Sequence, residues 1–281
     1  MKIKELKDIF TKELQNLYSK EEAETILNYI LIDAIGIPKL SIISQPQLEL
    51  DTNQHEKIVT LLKELKKAVP IQYLLGESHF YGMILNVTSD VLIPRQETEE
   101  LVNWIIQENE GAKLRILDVC TGSGCIALAL KKHLPQSTIT AIDISEKALE
   151  VAKGNAHKLK LDVEFKKVDA LNIEQELKDE QYDIIVSNPP YIRESEKVHV
   201  QKSVLIYEPQ MALFVSDERP LVFYEAIARY AKHLKPVTLY FEINEDLGNE
   251  LTEILNSLGF TEITLKADLN GKNRMLKCRN H

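Results

Sequence analysis

The chain is 281 residues long, 44% hydrophobic and 27% charged, which is ordinary for a soluble globular protein and long enough for two domains. No apolar run reaches membrane-spanning length, and the opening MKIKELKDIF reads as an amphipathic helix rather than a signal peptide, so a cytoplasmic location is expected. The net charge of −9 is spread along the chain, with 10 basic and 13 acidic residues in the first ninety, so no domain carries the basic surplus of a protein that grips duplex nucleic acid over a long footprint.

Residues 1–75 read as helices only. Ile3, Leu6, Phe10, Leu14 and Leu17 recur at helical spacing, Ser19 with Glu22 forms a capping-box pattern, and Gly36 with Pro38 ends the helix it starts. A further apolar face, Ile58, Leu61, Leu62 and Leu65, stops before Pro70. The expectation is a small bundle, serving as scaffold or as a partner-binding module. Residues 76–90 then change texture: His79 to Val87, with Gly82 near the middle, predicts a β-hairpin linker.

Residues 91–281 read as a βα-alternating domain. Val91-Leu92-Ile93 meets Pro94 and then an acidic helix start, where Arg95 and Glu97 are either a solvated first turn or the border of a site. Leu114 to Asp118 is a strand; Val119-Cys120-Thr121-Gly122-Ser123-Gly124 is a glycine loop opening a helix; Ser137 to Asp143 is the next strand. Glycines let a backbone approach a ligand closely, and an acid about 20 residues further on is placed to accept from ribose hydroxyls. The third glycine of a dinucleotide fingerprint is absent, no P-loop lysine follows, and Asp118 would repel a pyrophosphate. A cationic ligand with an adenosine part fits better, and S-adenosylmethionine is one. Asp169 and Ala170, after the following strand, fall where its adenine would lie.

The run Tyr182 to Val186 is a buried strand closed by Ser187-Asn188-Pro189-Pro190-Tyr191. Proline fixes its own φ and drives the preceding residue toward extended backbone, so the carbonyls here are held outward at the sheet end where α/β folds bind ligands. A planar amide or aryl amine is a poor nucleophile because its lone pair is delocalised. The Asn188 side-chain oxygen and the Pro189 carbonyl can each accept one of its hydrogens and orient the nitrogen, with Tyr191 stacked on the planar group. The alternative is a plain Pro-Pro turn with an asparagine cap.

Ile192 to Ser216 shows few periodic signals and reads as a long surface loop over the site. Pro220 opens a helix to about Leu234, Val237 to Ile243 is a strand, and Asp246 to Leu258 a helix ended by Gly259. Two last strands, Phe260–Lys266 and Lys272–Cys278, flank Asn270-Gly271, which predicts an antiparallel final strand. Cys120, Cys125 and Cys278 lack paired-ligand spacing, so they read as reduced packing residues, with neither disulfides nor a metal site indicated.

Taken as ordered blocks, the chain resembles the release factor glutamine methyltransferases of PrmC/HemK type. The likeness runs through Pro70-x-Gln72-Tyr73-x-x-Gly76, Leu92-Ile93-Pro94-Arg95-x-Glu97-Thr98-Glu99, Thr121-Gly122-Ser123-Gly124, Asp143, Asn188-Pro189-Pro190-Tyr191, Glu208-Pro209 and Asp268-Leu269-x-Gly271-x-x-Arg274. The resemblance implies an α/β fold: a class I, Rossmann-like methyltransferase domain with a mostly parallel seven-stranded sheet and an antiparallel last strand, behind a helical domain that helps hold the protein substrate. It implies methylation of the side-chain amide of the glutamine in the Gly-Gly-Gln loop of class I peptide chain release factors. By position it places Cys120–Gly124, Asp143, Ala170 and Asn188 on the cofactor and Asn188 to Tyr191 on the glutamine. Departures from the family pattern are Cys120 for a usual glycine, Gln96 for a usual proline and Ala170 at a position often aromatic. A monomer is expected. The competing readings are an adenine-N6 methyltransferase acting on DNA or RNA, since an exocyclic amine meets the same requirement, and a non-catalytic adenosine-ligand-binding assembly factor.

Overall fold

Paired caps open two helices of the amino-terminal unit. Ser19 Oγ accepts from the Glu22 amide at 3.1 Å while the Glu22 carboxylate accepts from the Ser19 amide at 2.7 Å. Asp51 and Gln54 make the same exchange at 2.8 and 3.0 Å. The computed structural model describes residues 1–178, 180–234 and 236–280, which divide into two units. The first comprises residues 1–77 together with 201–207. Its α-helices are Ile3–Leu14, Lys20–Tyr29, Lys39–Ser44, Thr52–Leu65, Ile71–Leu75 and Lys202–Tyr207, and a π-helical turn, Ile30–Ala34, continues the second. Ile3, Leu6, Phe10, Leu14, Leu27 and Ile30 form the centre of their core.

Three details differ from the sequence reading. Leu17 is 41% exposed, because the first helix ends at Leu14 and the periodicity no longer applies beyond it. The six-residue helix Lys39–Ser44 was not anticipated; it is shorter than two turns and four of its six residues are Ile or Ser, weak helix formers. The third concerns residues 192–216. Instead of one loop they form two short strands, Ile192–Arg193 and Phe214–Val215, two short 3-10 turns and the helix Lys202–Tyr207, which belongs to the first unit, where the Tyr207 hydroxyl donates to the Lys67 carbonyl at 3.0 Å. Pieces of two to six residues are too short to show a period.

The second unit comprises residues 78–200 and 208–281. In chain order the strands are β1 (Glu77–Phe80), β2 (Met83–Asn86), β3 (Arg115–Val119), β4 (Thr138–Asp143), β5 (Glu164–Lys167), β6 (Ile184–Ser187), β7 (Ile192–Arg193), β8 (Phe214–Val215), β9 (Val237–Glu242), β10 (Thr261–Ala267) and β11 (Asn273–Asn280). β1 and β2 form the expected hairpin, turned by Tyr81 and Gly82 at φ of 46° and 68°, the left-handed pair that matches strand twist. Among the described residues, seven strands make the main sheet in the order β10-β11-β9-β6-β3-β4-β5. β9, β6, β3, β4 and β5 run parallel, and β11 is antiparallel to both β9 and β10, as the Asn270-Gly271 turn predicts.

Alternation along the strands feeds two cores. Leu117, Ile185 and Leu239 pack with Tyr224, Ile227 and Ala231 of the helix Val222–Lys232 on one face. Ile116, Ile184, Val186 and Tyr240 pack with the helices Gln96–Glu108 and Cys125–His133 on the other. Helices on both faces leave the carboxyl ends of β3, β4 and β6 open at one edge, the place where such sheets bind ligands. No helix of the described residues is long and apolar enough to cross a membrane.

Candidate active site

The glycine loop leaves β3 through Cys120, whose φ of 62° is left-handed, and continues through Gly122 at 55° and Gly124 at 81° into the helix Cys125–His133. Gly124 has a packing reason as well. A Cβ there would lie 3.1 Å from the Ala152 Cβ of the helix Glu146–Leu159, closer than side chains normally pack. Asp118, fully buried, accepts from the Thr121 hydroxyl at 2.6 Å and the Ala127 amide at 3.1 Å, tying the loop to the first turn of its helix. Burial pushes its carboxyl up to about 7, against those two hydrogen bonds. At the end of β4, Asp143 Oδ2 accepts from the Gly122 amide and Oδ1 from the Ser145 amide, each at 2.9 Å. Burial raises its carboxyl, and these amides oppose the shift.

These elements border a cavity of about 360 Å3. Of the residues expected to meet the cofactor, Cys120, Gly122, Asp143, Asp169, Ala170 and Asn188 line it, whereas Asp118, Thr121, Ser123 and Gly124 do not. Val168, Ala170, Leu171, Met211, Phe214 and Phe223 give it an apolar wall, and Asp90, Asp143 and Asp169 give it acidic groups. This donor set fits S-adenosylmethionine. Each Asp143 oxygen takes one backbone hydrogen and keeps a lone pair for a ribose hydroxyl, the apolar wall suits a flat base, and the acids suit a cation. Asp90, Met211, Phe214 and Phe223 were not singled out from sequence; β8 and the turns around it were legible only as a loop.

On the acceptor side, β6 delivers Asn188 to the cavity, anchored by the Ser187 hydroxyl donating to the Val119 carbonyl at 2.7 Å. Asn188 Nδ2 donates to Thr98 Oγ1 at 3.2 Å, and that hydroxyl donates to Glu242 Oε2 at 2.6 Å. The Tyr191 hydroxyl donates to Glu242 Oε1 at 3.2 Å, and Asn244 Nδ2 donates to the Tyr191 carbonyl at 3.3 Å. Burial pushes the Glu242 carboxyl up, opposed by Thr98, Tyr191 and the Arg274 charge, and reinforced by Glu97. Burial also raises the Tyr191 phenol, aided by Glu242. Pro190 lines the cavity; Pro189 and Tyr191 do not.

Arg95 and Glu97 also stand off the cavity lining. Arg95 Nη2 meets Glu208 Oε1 at 2.6 Å, and Glu208 Oε2 accepts from the Ile93 amide at 3.2 Å. Buried Glu208 and Glu242 carry no role in the sequence reading. The available signal for Glu242 was an acid at the end of the strand Val237–Glu242, whose other residues are apolar apart from Thr238. Among the described residues no group of three His, Cys, Asp or Glu side chains could hold a metal ion.

Comparison with known proteins agrees with this layout. A family described as Methyltransferase small domain matches residues 96–234, and one described as PrmC N-terminal domain matches residues 5–76. Solved structures that share the fold include the hMettl16 catalytic domain in complex with a MAT2A 3'UTR hairpin, at TM-score 0.55 and 18% identity over 84% of this chain and 83% of that one. Another is a T. thermophilus 16S rRNA N2 G1207 methyltransferase, at TM-score 0.52 and 16% identity over 73% and 50%. Full-length relatives are much nearer in sequence. A release factor glutamine methyltransferase of Flavobacterium psychrophilum is 43% identical over 99% of both chains. Its counterpart in Bacteroides thetaiotaomicron is 40% identical over 94% of this chain and 95% of that one, and the Streptococcus pneumoniae protein 39% over 98% of both. Identity at this level, end to end, means that the chain belongs to the release factor glutamine methyltransferase family.

Proposed function

We propose that the protein methylates the side-chain amide nitrogen (N5) of the glutamine in the Gly-Gly-Gln loop of class I peptide chain release factors, with S-adenosylmethionine as donor. The observation that carries this reading is that Asn188 and Asp143, at the ends of two parallel strands, line one cavity. The donor supplies a methyl group bonded to a positively charged sulfur.

The protein's own work is placement. Asp143 accepts from the ribose hydroxyls, and the loop Cys120–Gly124 lets the backbone come close without side chains at its two glycines. Asn188 Oδ1 and the Pro189 carbonyl take the two hydrogens of the glutamine amide and aim its lone pair. Tyr191, its hydroxyl tied to Glu242, is a confining wall for the amide. The nitrogen becomes acidic once methylated, so its proton leaves without a strong general base.

In this reading residues 1–75 contribute to holding the release factor, residues 76–90 link the two parts, and residues 91–281 carry the chemistry. Leu40 and Ile43, 75% and 69% exposed on the helix Lys39–Ser44, support a partner-facing surface on the first part. The protein acts as a monomer in the cytoplasm, where release factors work, and needs no direct contact with nucleic acid.

The test is incubation with methyl-labelled S-adenosylmethionine and, separately, a release factor, duplex DNA and structured RNA. Label in the release factor alone is expected. Label in either nucleic acid, or binding of the donor with transfer to none of the three, would overturn the reading.

A further inference from the structure

We propose that Thr98 and Glu242 are positioning residues that fix the sense of the Asn188 amide, so that its oxygen rather than its NH2 group is presented to the substrate nitrogen. The inference rests on the reading of Asn188 as an acceptor for the glutamine amide.

The number of protons available decides the orientation. A threonine hydroxyl has one hydrogen and two lone pairs, and a carboxylate has only lone pairs. Thr98 Oγ1 lies 2.6 Å from Glu242 Oε2, so its one hydrogen is committed to the carboxylate. What remains on Thr98 Oγ1 can only accept. Its other neighbour is the Asn188 amide at 3.2 Å, which therefore turns its NH2 edge to Thr98 and its oxygen away. With the opposite polarity the NH2 edge would face the two N–H groups of a glutamine amide, donor against donor. Glu242 thus decides, one hydroxyl removed, whether Asn188 can accept at all.

The placement supports a dedicated device. Thr98 comes from the first turn of the helix Gln96–Glu108, Glu242 from the last residue of β9 and Asn188 from the end of β6, and Thr98 and Glu242 are 2% and 1% exposed. A buried carboxylate costs stability unless its lone pairs are filled. Here one oxygen is filled by Thr98 and the other by Tyr191, so two members of the Asn188-Pro189-Pro190-Tyr191 turn hang on the same side chain.

The experiment compares wild type, Thr98→Val, Thr98→Ser, Asn188→Ala and the double variant Thr98→Val with Asn188→Ala. Steady-state methylation of a release factor gives kcat and KM, calorimetry gives donor Kd, and NMR of the Asn188 side-chain amide reads the hydrogen bond without activity. Thr98→Val should lower kcat by about tenfold to a hundredfold, the scale of a misplaced catalytic contact, with donor Kd essentially unchanged. Thr98→Ser, which keeps the hydroxyl, should restore most of kcat. In the Asn188→Ala background the valine should cost nothing further, because its effect passes through Asn188.

The slowed exchange of the Asn188 NH2 protons should be lost in the valine variant and kept in the serine one. If the valine variant does not fold, Thr98→Ala makes the same comparison. Unchanged kcat in Thr98→Val, or kinetic losses that multiply in the double variant, would overturn the inference. If wild type leaves the release factor unmethylated, the functional reading falls, and the amide exchange alone decides: protection that survives Thr98→Val overturns the positioning role, and protection lost there and kept in Thr98→Ser upholds it.

Discussion

The two units of the chain are built on different rules. Residues 1–77 bury Ile, Leu, Phe and Ala, while every polar side chain that is buried among the described residues lies between residues 78 and 280. Among them, Asp118 is bonded to the glycine loop, Thr98 to Asn188, and Glu242 and Asn244 to Tyr191 of the same turn. Removing a polar group from water is unfavourable unless a partner replaces the water. The second unit accepts that cost where it stiffens a ligand-facing backbone or fixes an amide. The first needs only apolar burial and its caps, and its charges stay at the surface.

That contrast can be broken by substitutions that exchange stability for chemistry. The largest stability effect is expected at Phe10, fully buried in the first unit's core. Phe10→Ala should cost about 3–5 kcal/mol, read as faster hydrogen exchange across the first helices, with donor affinity by calorimetry unchanged. Unaltered exchange would mean that burial there does not carry the unit. Asn188→Ala should do the reverse, lowering kcat by about 10²–10³ while leaving most of the donor affinity, the usual scale for losing one preorganised polar contact. Equal losses in kcat and donor affinity would place Asn188 on the cofactor alone.

Asp143→Ala should weaken donor binding by about 1.5–3 kcal/mol in calorimetry, because bonds to a charged acceptor are lost; unchanged affinity in a folded variant would remove Asp143 from the site. The smallest effect belongs to Lys66, which pairs with Glu13 at 2.6 Å on the surface of the first unit. Lys66→Ala should leave the melting temperature unchanged within error, as exposed pairs contribute little. A clear drop would show that surface charge, as well as apolar burial, holds the bundle.

The same contrast explains what could be read from the sequence. The order of strand, glycine loop, helix, strand and acid is local, so β3, β4 and the loop between them were legible from a few residues each, as was the Asn270-Gly271 turn before the antiparallel β11. Caps are local too, and Ser19 with Glu22 stands as expected. The network behind Asn188 is not local. Thr98 and Glu242 are 144 positions apart, and nothing in either neighbourhood says that one hydroxyl joins them. Asp118 shows the complementary limit: its place at a strand end suggested a ligand contact, and its side chain instead holds the loop from behind. Residues 192–216 were illegible because elements of two to six residues carry no period.

The central claim is that Asn188 and Pro189 present an acceptor pair to a glutamine amide beside the donor cavity. The most direct measurement is tandem mass spectrometry of a class I release factor after reaction with S-adenosylmethionine and this protein. A single added methyl on the side-chain nitrogen of the glutamine in the Gly-Gly-Gln loop, absent when that glutamine is replaced by glutamate, is the predicted result. A methyl on a lysine, on a carboxylate or on any other residue of the release factor would contradict it.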